Sequence, residues 1–341
     1  MVIIDENDSS RGFNTLEGPK FYKRGDTYWI FAPIDGVATG SQAVYRAKSI
    51  RGPYEARVVL SQGATPINGP HQGAWVTTPV GENWFLHFQD SGAFGRIVHL
   101  QPMAWRSDGW PVLGTAVTSA NDTGEPVLTH HKPSLPVGSS AAPATSDDFD
   151  APQLGLQWQW QADPRPDWYS LAARPGALRL SAVTASGSVG YYDAPQLLLQ
   201  KFPAPAFTVT TLLDFSAACV GDEAGLMVFG YSYAWIGLRR TGSGLLLVQL
   251  THLDAHQRSR PVESAALAAP SDKIFLRVTV SSGAQCLFAF SVDGAKFTPA
   301  GEKFQATAGK WVGAKVGLFA SAGGGPAVGG HADFDFFRVT P

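Results

Sequence analysis

Residues 14–36 read NTLEGPKFYKRGDTYWIFAPIDG, and residues 67–90 read INGPHQGAWVTTPVGENWFLHFQD. Both open on X-Gly-Pro, enter a strand-like pattern, turn at a glycine-containing loop and continue into an aromatic strand. Alternation of apolar and polar residues at period two marks half-buried strands, and clustered Gly, Pro and Asp mark the turns between them. Further strands are expected at residues 42–47 and 57–60 after the first copy, and at 96–103 and 110–113 after the second. Four short strands repeating every ~40–50 residues is the signature of propeller blades. The first strand of a blade lines the central axis. The loops that carry Glu17 and His71 into those strands are therefore expected at one axial mouth.

Composition agrees with an all-β chain. The 341 residues allow two domains of ordinary size. Hydrophobic content of 44% with 16% charged residues describes a folding chain, not a disordered one. Thirty-seven glycines and 24 prolines favour short strands joined by turns. A net charge of −2 gives no footprint for nucleic acid, and no apolar run is long enough for a membrane-spanning helix. The opening MVIIDENDSSRG lacks the basic and apolar regions of a secretory leader. The compartment is left unassigned, cytoplasmic being the expectation if Met1 is the genuine start.

Residues 134–146, SLPVGSSAAPATS, have linker composition. The expected division is a partial propeller over residues 1–133, a linker over 134–145 and a β-sandwich over 146–341. In the sandwich, strands are expected at 177–182, 207–215, 223–229, 234–239, 244–251, 273–281, 286–291, 315–321 and 332–339. The segment FGYSYAWIG, 229–237, is too aromatic for a free hairpin and is expected to make a contact. Cys286 falls in an alternating strand and reads as a buried apolar residue. A bridge to Cys219, the other of the two cysteines, has no support.

The segments LEGPKFYKRGDTYWIFAP, GPHQGAWVTTPVGENWFLHFQDSGAFGRIVHLQPMAW and GWPVLG resemble the later blades of glycoside hydrolase family 43. This family of five-bladed propellers includes β-xylosidases and α-L-arabinofuranosidases. The second half resembles the concanavalin-A-like sandwich found after the propeller in many of them. The resemblance implies hydrolysis of xylo- or arabino-oligosaccharides with inversion, by an acid and a base on opposite sides of the sugar. It makes Glu17 the general acid, a role that an aromatic-walled pocket would favour by keeping the carboxyl protonated. It places His71 at an axial calcium ion or its water and Arg96 against the sugar hydroxyls; Gln72 is a further candidate for sugar contact, and Phe31 is one for the apolar wall on which a pentose ring stacks. Trp29, Trp75 and Trp84 read mainly as core, as do His87 and His99. His130 and His131 read as solvated.

The family's base and orienting aspartates belong to sequence upstream of Glu-Gly-Pro. The expectation is therefore a chain inactive by itself, one that pairs with a missing N-terminal propeller fragment through a blade face near its start, where the segment before Glu17, with its apolar run at residues 1–4, is expected to be poorly ordered alone. Asp35 and Asp90 follow aromatic strands, but neither is expected to replace the base. The rival reading is a non-catalytic carbohydrate-binding or structural sandwich carrying vestigial blades. A weaker calcium site is expected where Asp148 and Asp150 meet Asp333 and Asp335, since first and last strands of a sandwich often pair.

Overall fold

Hairpins build the first unit, and the turn residues show why. In a computed structural model describing residues 4–5, 13–116, 123–136, 138, 141–184, 190–323 and 330–341, strand β1 (Lys20–Arg24) pairs with β2 (Thr27–Ile34) across the two-residue turn Gly25-Asp26. Gly25 adopts φ +59° there, a sign of φ that tight hairpins demand and glycine supplies without steric cost. Antiparallel pairing continues through β3 (Ser41–Ala47) to β4 (Glu55–Leu60). A separate four-stranded sheet repeats the pattern as β5 (His71–Thr77), β6 (Asn83–Asp90), β7 (Arg96–Trp105) and β8 (Pro111–Leu113). The two copies in the sequence are thus two blade-like sheets.

The chain then returns to the first sheet. Strands β9 (Thr115–Ala116) and β10 (Gly124–Glu125) extend it to six, in the order β1-β2-β3-β4-β10-β9, with β10 parallel to β4. The stretch after the second copy is therefore an edge of the first blade. Trp29, Phe31, Val44, Val59 and Leu60 from the first sheet pack against Phe85, Met103, Trp110 and Leu113 from the second. The opposite face of the first sheet buries Ala32, Ile34, Ala43, Tyr45 and Tyr54, with Phe13 and Leu16 against them.

Among the described residues, the other face of the second sheet is buried at Trp84, against which His130 packs, and open further along. Val98 is 66% exposed, and Leu100 and Val76 are also exposed. Their cross-strand partners Phe88, Leu86 and Trp84 lie on the same face. A contiguous apolar face of this kind marks an interaction surface. Of the segment before Glu17 expected to be poorly ordered, residues 1–3 and 6–12 lie outside the described residues, whereas Ile4, Phe13 and Leu16 pack against the first sheet.

The second unit, Ala141–Pro341 together with Gly92–Gly95, is a two-sheet sandwich. One sheet runs Gln159–Trp160, Leu198–Lys201, Lys315–Ser321, Glu223–Phe229, Tyr233–Thr241, Gly244–His252, Val262–Ala268. The other is centred on Leu178–Ser181, His331–Thr340, Phe207–Ser216, Lys273–Ser281 and Gln285–Ser291. Lys273–Ser281 buries Ile274, Leu276, Val278 and Val280 in the core between them, the alternation its sequence shows.

Two strands gave no such signal. Leu198–Lys201 lies in a run of leucines buried on both faces, Leu198 in the main core and its neighbours Leu197 and Leu199 in a second cluster, so period two is lost. Val262–Ala268 is an alanine-rich edge strand with exposed Val262 and Leu267. The aromatic segment 229–237 is explained inside the sandwich. Tyr233 and Trp235 are buried on one face of a central strand against Tyr191, Phe229 and Phe319, while Ala234 and Ile236 face the main core. Cys286 is a buried free thiol, as its strand pattern predicts, and Cys219 is also free.

Candidate active site

Glu17 reaches its place through a sharp entry into β1. Its N–H donates to the Pro33 carbonyl at 3.4 Å, and Gly18 takes φ +51°. A side chain on Gly18 would meet the Gln72 amide, its Cβ falling 1.8 Å from Oε1. Glycine is required by both the backbone and the neighbour. Lys20 then locks the pair, its Nζ donating to the Gly18 carbonyl at 2.8 Å and to Gln72 Oε1 at 3.5 Å.

His71 comes to the same point from β5. The β5–β6 register slips between His71 and Ala74, a bulge made by Gln72 at φ +53° and Gly73, whose Cα lies against the Phe85 ring. Bulges re-aim side chains at the ends of strands. Here His71 Nε2 lies 2.8 Å from Glu17 Oε1. The imidazole is fully buried, whereas the glutamate side chain is 45% exposed. Burial lowers the His71 pKa, the charges of Arg96 and Lys20 push it the same way, and the Glu17 carboxylate opposes them. His71 is therefore a neutral hydrogen-bonding group near pH 7, and its Nδ1 is buried with no partner among the described residues.

Arg96 starts β7, opposite Asp90 in the ladder, with its guanidinium over the Phe88 ring at 4.5 Å. His71 pairs with Phe88 across β5–β6. Glu17, His71, Gln72 and Arg96 thus gather at one end of the two sheets, joined by Lys20. Sequence reading left out Lys20; its only signal was its place directly after Glu-Gly-Pro.

Phe31 is elsewhere in function: it has no exposed surface and packs against Tyr22, Trp75 and Phe85. Trp29 and Trp75 belong to the same core, so they form no wall around the Glu17 carboxylate. Asp35, at φ +62°, closes a turn by accepting from the Asn14 N–H. Buried His87 stacks on half-buried His99 at 5.4 Å, and His130 and His131 are exposed.

The donor sets fit calcium poorly. Calcium takes six to eight oxygen ligands. At His71 there is one imidazole whose Nε2 already meets Glu17, and no group of three or more metal-ligating side chains occurs among the described residues. In the sandwich, Asp147 does pair with Phe337 of the last strand. The neighbouring carboxylates, however, are taken by cations: Asp148 by Arg338, Asp333 by Arg179, and Asp335 by Arg174 and Lys273.

Two family profiles match the chain: glycosyl hydrolases family 43 over residues 1–111, and the β-xylosidase C-terminal concanavalin A-like domain over residues 146–340. A putative β-xylosidase of Xylanibacter ruminicola is 36% identical over 318 residues, covering 93% of this chain and 57% of that protein. A β-xylosidase of Formosa agariphila is 31% identical over 376 residues, covering 98% and 61%. The chain thus spans about three fifths of the length of these relatives. Among solved structures, a bifunctional GH43-CE protein of Bacteroides eggerthii superposes with a TM-score of 0.83 at 29% identity, covering 100% of this chain and 43% of that one. The GH43 protein BlXynB of Bacillus licheniformis gives 0.81 at 26% identity, covering 95% and 65%. On its paired blade-like sheets, its C-terminal sandwich and these two profile matches, the chain belongs to glycoside hydrolase family 43.

Proposed function

We propose that this chain carries the general-acid half of a glycoside hydrolase acting on xylo- or arabino-oligosaccharides with inversion. Glu17 gives its proton to the leaving glycosidic oxygen. The neutral His71 imidazole holds the Glu17 carboxyl by its 2.8 Å contact, and Arg96 and Gln72 take sugar hydroxyls. The observation that carries this reading is that Glu17–His71 contact, which joins the entry loops of two repeated sheets at one point. Positioned acids of this kind contribute about 10²–10⁴-fold to rate. The names of the similar proteins, β-xylosidases and an α-L-arabinofuranosidase of Bacteroides ovatus, support the substrate class.

The base and the aspartate that orients the acid are proposed to come from a complementary propeller segment seated on the open face of Val76, Leu86, Phe88, Val98 and Leu100. That face borders the site, since Phe88 touches both His71 and Arg96. Turnover of aryl β-xyloside or α-L-arabinofuranoside is expected only when residues 1–341 are combined with the first two blades of a family member. Glu17→Gln should then remove at least about 100-fold of it. Enzyme-like turnover by residues 1–341 alone would overturn the need for a complement. Full activity of the Glu17→Gln mixture would overturn the assignment of the acid.

A further inference from the structure

Two side chains of β1 reach across to β5. Tyr22 Oη accepts from the Trp75 N–H at 3.0 Å, and its ring packs on the Trp75 indole at 5.1 Å. Lys20 lies two residues earlier and therefore on the same face of β1. Its Nζ donates to the Gly18 carbonyl at 2.8 Å and to Gln72 Oε1 at 3.5 Å. The side chain is half-buried and engaged at its tip, unlike a solvated surface lysine.

What Lys20 meets is an amide under constraint. Gln72 occupies φ +53°, a left-handed conformation that residues other than glycine adopt at a cost and that clusters at functional sites. Its amide lies against Gly18, where an added Cβ would fall 1.8 Å from Oε1 and 2.8 Å from Nε2. Gly18 follows Glu17 in the chain, and Gln72 follows His71, whose Nε2 is 2.8 Å from Glu17 Oε1. The amide is thus held beside the Glu17–His71 pair from both strands.

The chemistry of the pair decides which way the amide points. An ammonium has three donors and no acceptor, so the end of the amide that faces it must be the oxygen. The Nε2 end then carries two N–H donors that have no protein acceptor among the described residues and are not sealed from solvent. The two ends of an amide are alike in shape and opposite in hydrogen bonding. Without Lys20 nothing on this side would tell them apart.

We propose that Lys20 is a positioning residue: by holding Gln72 Oε1 it turns Nε2 towards the substrate, so the site beside Glu17 offers donors and selects a sugar with an acceptor oxygen at that point. The proposal rests on Glu17 as the acid, and its test has two arms. In the first, NMR of the 341-residue chain follows the Gln72 side-chain amide. Lys20→Met should move its N–H signals, and Lys20→Arg, which also only donates, should move them less. In the second, the chain is combined with the first two blades of a family member and assayed on an aryl β-xyloside. Lys20→Met should raise KM about tenfold, the worth of one good hydrogen bond, with kcat within about twofold, since a contact equal in ground and transition states acts on KM alone. Lys20→Arg should bring KM back to within about threefold of wild type. In a Gln72→Met background, Lys20→Met should add nothing. Unmoved Gln72 signals, an unchanged KM, a loss confined to kcat, or an equal loss in the Gln72→Met background would each overturn the proposal. If the combined chains show no Glu17-dependent turnover, the reading of Glu17 falls, and the NMR arm by itself decides whether Lys20 holds the amide.

Discussion

Replacing His87 with phenylalanine should remove a pH dependence built into the first unit. His87 is 2% exposed, stacked between Phe85 at 6.2 Å and His99 at 5.4 Å. Its Nδ1 is 3.3 Å from the Phe88 carbonyl oxygen, and its Nε2 is buried without a partner among the described residues. Burial lowers its pKa from the ordinary 6.5 to about 4, with a small further push from His99 and a partial offset from the Phe88 carbonyl. The unfolded chain therefore binds the proton more readily than the folded one. The stability this residue contributes is fully present above pH 6.5 and is lost as pH falls through 6.5 towards 4. At ~1.36 kcal/mol per unit, the whole loss is about 3 kcal/mol. Phenylalanine keeps the ring stack and cannot titrate. Urea unfolding at several pH values, read by pulsed hydrogen exchange of peptides spanning Asn83–Asp90 and Arg96–Trp105, measures the difference. The slope against pH should be shallower in the variant by about 1 kcal/mol per unit between about pH 6 and 4.5. Equal slopes in the two proteins, or an NMR titration of the His87 ring centred near its ordinary value, would refute the reasoning.

Gly73→Ala should destabilise the first unit by more than the ~1–3 kcal/mol of ordinary overpacking. A Cβ there would lie 1.9 Å from the Phe85 ring, and a rise in urea midpoint would contradict this. Arg179→Met removes both hydrogen bonds to Asp333, each 2.7 Å, and should cost the sandwich about 2 kcal/mol near pH 7. Burial raises the Asp333 pKa, but the hydrogen bonds and charge of Arg179, joined by the His331 charge and the Arg174 hydrogen bond, together outweigh it and hold the net value low. The wild-type advantage should accordingly shrink as pH falls below the ordinary carboxylate range, and a pH-independent gap in thermal melts would argue against the ion pair. Maleimide should label Cys219 under native conditions and spare Cys286, whose thiol burial pushes up to about 12; labelling of Cys286 at a rate like that of Cys219 would show the core to be open.

Much of this protein is legible in its residues alone. The period-two alternation of Lys273–Ser281 and the repeated X-Gly-Pro openings depend only on neighbouring residues, because one face of each strand meets the core and the other meets water. The same local patterns put Glu17 and His71 into corresponding loops and named the family. Sequence did not reveal strands buried on both faces, such as Leu198–Lys201, because nothing alternates there. Nor did it show that Phe31 is core, that Lys20 and Gln72 clamp Gly18, or that the sandwich carboxylates belong to arginines. Those facts depend on which side chains meet across sheets from distant parts of the chain. Local pattern decides that a residue points inward; only tertiary packing decides what it meets.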